Sequence, residues 1–251
     1  MLEWLILTVL AVVMEFIDSF LGMMYGTVLS PLLILFGYNA KTVVPVILIS
    51  QAVGGFVASW RHHTLRNASF KKGTADWDVF HSIVWLGVVA AIIGVFISIK
   101  IPVKYLNTYI ALLVIFIAIM IFLKKTFVFT RFRIFFLGFV SAFNKALSGG
   151  GFGPLVAGGQ LVFEGRDEKG AIGSTDFAEA PICLVSFALW VFAKGCPPVS
   201  LIIPMCIGSA IGGFFGPKAL SLVVSRQKLK LILAVLIFVE GVSVLYKVWI
   251  K

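Results

Sequence analysis

The chain has 251 residues, of which 60% are hydrophobic and only 13% charged, with a formal net charge of +10. Its mean hydropathy is +1.07, whereas ordinary globular domains are about 45–50% apolar and about 25% charged. That balance excludes a soluble fold. It also argues against nucleic-acid binding, because the basic residues cluster in the short segments between apolar runs, as membrane topology requires.

Taken in chain order, the apolar runs fall at 4–37, 43–60, 79–99, 106–123, 134–163, 171–193, 199–223 and 229–249. A bilayer core of about 30 Å needs about 20 apolar residues per helix. The alternating pattern of a lipid-facing barrel strand is missing. An all-α polytopic protein of the cell membrane is therefore expected. The first residues lack the short apolar core and cleavage site of a removable signal, so the first run reads as a membrane segment. Runs 4–37 and 134–163 are too long for one simple crossing, and each contains glycine-rich interruptions. The largest polar gap, 61–78, holds His62 and His63 beside Arg61, and both read as solvated. Cys183, Cys196 and Cys206 are odd in number and have no metal-like spacing, so they read as free thiols. No cofactor and no metal are expected.

The two halves resemble each other. "FIDSFLGMMYGTVLSPLL" from Phe16 lies over "FVSAFNKALSGGGFGPLV" from Phe139 at a constant offset of 123, matching Phe20 with Phe143, Gly26 with Gly149 and Pro31 with Pro154. "AIIGVF" from Ala91 parallels "AIGGFF" from Ala210. This order predicts a duplication into repeats 1–125 and 126–251, and paired interrupted segments are typical of secondary transporters. If runs 4–37 and 134–163 each cross twice, one side receives 14 Lys and Arg and the other six; with single crossings the split is 11 against nine. The positive-inside rule favours the first arrangement. It implies five segments per repeat, inverted halves and both termini outside, with a broken or re-entrant helix in each half.

The stretch "SAFNKALSGGGFGPL", Ser141 to Leu155, carries the most chemistry. Glycines cost about 1 kcal/mol each in a helix relative to alanine, so Gly149, Gly150 and Gly151 predict a break. Pro154 suits the first turn of a new helix, which is expected to begin near Phe152. The amides and dipole at such a start suit an anion, and glycine lets it approach the backbone. Lys145, about one turn before the break, adds a full positive charge. "YGTVLSP", Tyr25 to Pro31, is a poorer copy in the first half. The plainer alternatives are that the glycines only let helices pack closely and that Lys145 pairs with a carboxylate.

"GFVSAFNKALSGGGFGP", followed by a glycine–lysine turn and "AIGSTDFAEAPICLVSF", resembles the second-half signature of the sulfite exporter TauE/SafE family. Gly149, Gly150, Gly151, Phe152 and Pro154 match its glycine-rich break; Ala171, Gly173 and Thr175 match its alanine-led stretch. The first repeat keeps only Gly26 and Pro31 of the break, and Asp176 follows Thr175 where the family usually has a small residue. The resemblance implies a transporter of sulfite or another small sulfur-containing or organic anion. The anion is then expected among Lys145, Ser148, Gly149, Gly150, Gly151, Phe152 and Thr175, with Tyr25, Gly26 and Thr27 from the first repeat.

Ionisable groups inside a membrane are expensive and point to function. Glu15 and Asp18 are three apart on one helix face, Asp176 and Glu179 share that spacing, and Glu240 sits near the centre of the last run. Five acids against one lysine suit proton coupling, because a buried carboxyl can carry a proton with the substrate. Asp18 and Glu179 are the leading coupling groups, with Glu15 and Asp176 beside them. Competing readings remain: D-x-x-E at 176–179 fits a helix-capping box, Glu15 or Asp18 could neutralise Lys145, and Pro181 suggests a broken helix.

A secondary transporter working by alternating access is the leading function, and an anion channel is the alternative. An enzyme is not expected: "LSGGG" has no nearby base, and neither H-E-x-x-H nor a P-loop is present. The implied partners are the small anion, protons and the lipid bilayer. The sequence leaves open whether copies associate into a homo-oligomer.

Overall fold

A computed structural model describes residues 2–123, 131–160, 167–222 and 227–250. Within these the chain forms helices α1 (Leu2–Leu21), α2 (Tyr25–Leu35), α3 (Ala40–Thr64), α4 (Ala75–Lys100), α5 (Val103–Leu123), α6 (Arg131–Ser148), α7 (Gly153–Gln160), α8 (Glu168–Lys194), α9 (Val199–Leu222) and α10 (Gln227–Trp249). Among the described residues, seven helices are long and apolar enough to cross a bilayer. At 1.5 Å per residue, the 11 residues of α2 reach about 16 Å, far short of the hydrocarbon thickness. The boundary expected between the halves, at 125–126, lies outside the described residues.

Large apolar side chains such as Trp85, Phe116, Phe215 and Val239 are exposed on α4, α5, α9 and α10. No soluble fold leaves so much of its helical surface apolar; lipid is the solvent that fits it.

Polar contacts define the two ends of the bundle. At the first end Tyr38 donates to Glu3 (2.5 Å), Lys41 to the Ile99 carbonyl (2.8 Å), Lys247 to the Ile34 carbonyl (3.0 Å) and Trp249 to Thr108 (2.9 Å). At the second end Asn67 donates to the Pro217 carbonyl (2.8 Å), and Lys230 lies 3.4 Å from Glu168. The starts of α1 and α5 and the end of α10 thus share the first end.

α1 packs most extensively on α9, and α6 on α4; α3 joins α9 while α8 joins α4; α3 pairs with α8, and α5 with α10. Exchanging helices one to five for six to ten leaves this list unchanged. A Cβ on Gly208 or Gly212 would strike the Thr8 or Val12 carbonyl, so small residues set the close approach of α9 to α1. α1 runs with α9 from the first end. α6 runs with α4 from the second, as shown by Gly138 against Ile83 and by Ser98 donating to the Leu147 carbonyl (2.8 Å).

Two local expectations are corrected. α8 continues unbroken through Pro181; flanking contacts with α3 and α4 hold the helix across the missing hydrogen bond. Asp176 and Glu179 are not a capping box, since α8 begins eight residues earlier and its cap is Asp167, which accepts from Gly170 N at 3.2 Å.

Candidate functional site

The two helix breaks meet inside the bundle. In the second half, Gly149 and Gly151 hold φ of 79° and 84°, left-handed values that favour glycine. The Gly149 amide still donates to the Lys145 carbonyl (2.8 Å), and α7 starts at Gly153 with Pro154 in its first turn, as expected. In the first half the break lies at Gly22–Met24, upstream of the expected "YGTVLSP", which forms the first turns of α2. The difference has a simple cause. One glycine between Tyr25 and Val28 does not stop a helix, whereas three in a row at 149–151 do. Met24 pays for the early start by adopting φ 120°, a strained value for a residue with a side chain.

A Cβ on Gly26 would run into the Gly149 carbonyl, and one on Gly153 into the Gly22 carbonyl. The Gly151 amide donates to Thr27 (3.3 Å), and Ser30 donates to the Ser148 carbonyl (2.8 Å). Ser148 Oγ itself donates to the Asn144 carbonyl at 2.7 Å and accepts from the Gly150 amide at 3.2 Å. Tyr25 is fully buried and donates to Ser50 (2.7 Å), while Phe152 packs into the apolar core.

A chain of polar side chains runs through this junction. Asp18 on α1 accepts from the Tyr25 amide through Oδ1 (2.8 Å) and from Gln51 Nε2 on α3 through Oδ2 (3.0 Å). The oxygen of Gln51 accepts from Lys145 Nζ on α6, and the same ammonium lies 2.7 Å from Glu179 Oε1 on α8. All four side chains are almost completely buried. The ammonium sits about 3.0 Å from where a Cβ on Gly26 would stand, at the first turn of α2. Two acidic side chains thus lie on positive features of the junction, Lys145 as expected and the start of α2 in place of the expected start of α7. Asp18 caps the start of α2, and Glu179 neutralises Lys145.

The remaining candidates separate. Glu15 is buried one turn before Asp18, beside Ser209 of α9, and its Oε2 meets no hydrogen-bond donor among the described residues. Asp176 lies 3.2 Å from His62 Nε2 rather than on the lysine. Thr175 anchors α7: it accepts from Gln160 Nε2 (3.0 Å) and donates to the Ala171 carbonyl (2.7 Å). Glu240 is buried on α10. Two residues escaped the sequence reading. Gln51 is an uncharged residue in an apolar run, though its amide there is itself costly. His62, expected in solvent, lies fully buried in the last turn of α3, because that helix outlasts its apolar run by about a turn.

Residues 7–244 match the family described as Sulfite exporter TauE/SafE, from α1 to α10. The chain belongs to the sulfite exporter TauE/SafE family. It is also similar to a Bacillus subtilis (strain 168) protein named "Probable membrane transporter protein YtnM", 22% identical over 234 residues covering 80% of this chain and 76% of that one. No solved structure matches the chain. TauE/SafE membership and the seven helices long and apolar enough to span among the described residues make this a multi-pass membrane transporter.

Proposed function

We propose that the protein is a secondary transporter that carries a small anion, sulfite or a related sulfur-containing or organic anion, together with protons. The carrying observation is the Lys145 ammonium, held by Glu179 and Gln51 against the first turn of α2 where both breaks meet. A buried cation needs an anion beside it. When Glu179 takes up a proton it ceases to be that anion, and a substrate anion replaces it on Lys145. Asp18 stands in the same relation to the start of α2. Proton and anion then load together, which makes the transport a symport. The site has no catalytic role in this reading.

The matched packing of α1 with α9 and α6 with α4, from opposite ends, supports two inverted repeats that rock about the junction to give alternating access. The 14-to-six distribution of Lys and Arg supports an orientation with the second end in the cytoplasm and both termini outside.

The test is uptake into proteoliposomes of sulfite, thiosulfate, sulfate, sulfonates and small carboxylates, each with and without an inward proton gradient. Saturable uptake of at least one anion, raised by the gradient, is expected. Non-saturating flux indifferent to the gradient would instead identify an anion channel.

A further inference from the structure

Beside the lysine junction lies a second buried polar group. The His62 ring and Asp176 are 0% and 3% exposed, and Nε2 stands 3.2 Å from Oδ2. Asp176 precedes Glu179 by one helical turn, and the ring lies against the backbone of Ser19, next to Asp18. Among the described residues, Asp176 on α8 and Asp76 at the start of α4 are the charged groups facing the ring; α1 presents the Ser19 backbone. From α9 the Pro217 carbonyl approaches through Asn67.

Asn67 fixes the state of the ring. One terminal atom of its amide lies 2.8 Å from the Pro217 carbonyl, which can only accept, so that atom is the nitrogen. The same nitrogen lies 3.2 Å from His62 Nδ1. Nδ1 must therefore accept, and in the neutral ring Nε2 carries the proton, 3.2 Å from Asp176 Oδ2 without an aligned hydrogen bond to it. A second proton on the ring would set N–H against N–H at Nδ1. Asn67 would then have to turn its oxygen toward the ring and give up the Pro217 carbonyl. Neither Asp176 oxygen has a hydrogen-bond partner among the described residues, so no bond holds the carboxylate away from the ring.

We infer that His62 is the proton relay between the Asp18–Glu179 cluster and the second end of the bundle, and that its proton is coupled through Asn67 to the contact between α9 and the end of α3. In one passage Nδ1 takes up a proton from the second end while Nε2 gives its own to Asp176; Asn67 turns its oxygen to the new Nδ1–H and releases the Pro217 carbonyl, and the reverse passage restores that bond. This rests on the proton-coupled reading above.

The test separates net transport from exchange. Full-length His62→Gln is reconstituted, and labelled sulfite is followed in two assays: net uptake under a proton gradient, and exchange with equal sulfite and equal pH on both sides. Net uptake is expected to fall about 100-fold and to lose its pH dependence, while exchange continues. Equal loss in both assays would make His62 structural; unchanged net uptake and pH profile would also overturn the relay. If the wild type shows no gradient-driven uptake, the symport reading itself fails, and this inference with it. A second measurement does not depend on His62→Gln folding. ¹⁵N-histidine spectra of the intact protein, assigned with His63→Gln and His81→Gln, should show the neutral His62 ring protonated on Nε2 alone, with the tautomers mixing in Asn67→Ala. A neutral ring protonated on Nδ1 in the wild type contradicts the relay.

Discussion

Lys145 and Glu179 show what single side chains contribute here. Their pair is fully buried, 2.7 Å apart, so removing one partner leaves a naked charge, and such a loss costs about 3–5 kcal/mol. Lys145→Met is therefore expected to melt well below the wild type. The double variant Lys145→Met/Glu179→Gln should recover most of that loss, because no charge is stranded. Thermal melts of the three proteins check this; a double variant as unstable as the single one would show that the pair is not the source of the stability. Lys145, Asp18 and Glu179 were legible in the sequence because a charge in an apolar run is costly enough to need a reason. Gln51 bridges two of them yet carries no charge. His62 was hidden by its neighbours: Arg61 and the half-exposed or exposed residues after it look like solvated loop, while the helix turns this one side chain inward.

At the level of the elements, the break in each half governs where the polar groups gather. The Gly149–Gly151 break and the Pro154 start were readable from composition alone. The first break was expected a few residues later, at 25–31; it lies at Gly22–Met24, where Gly22 holds φ 75° and Met24 φ 120°, and nothing in a methionine announces a positive φ. Pro181 misled in the opposite sense: a proline is tolerated inside a long helix whose flanks are packed on both sides. The contact between breaks depends on the absence of a side chain at Gly26. Gly26→Ala adds one methyl against the Gly149 carbonyl and is expected to cost about 1–3 kcal/mol and to reduce flux. Wild-type stability and flux in this variant would mean that the two breaks part without consequence.

For the molecule as a whole, the main helix pairs are unchanged on exchanging helices one to five for six to ten, an arrangement in keeping with the offset of 123 between the halves. The charge bias carries the orientation. The exposed native Cys196, in the α8–α9 connection, lies on the first end in this arrangement and should react with an impermeant thiol reagent from outside. Ser69→Cys in a Cys196→Ser background should react only after the cytoplasmic face is opened. Labelling of both positions from the same side contradicts the orientation.

The most direct measurement of the central claim is calorimetric titration of sulfite into the purified wild type and into Lys145→Met/Glu179→Gln, with thermal melts confirming that both are folded. If Lys145 holds the anion, the double variant loses the equivalent of a charge-assisted contact, about 1.5–3 kcal/mol, or about 10- to 150-fold in affinity. A folded double variant that binds sulfite as tightly as the wild type contradicts the account.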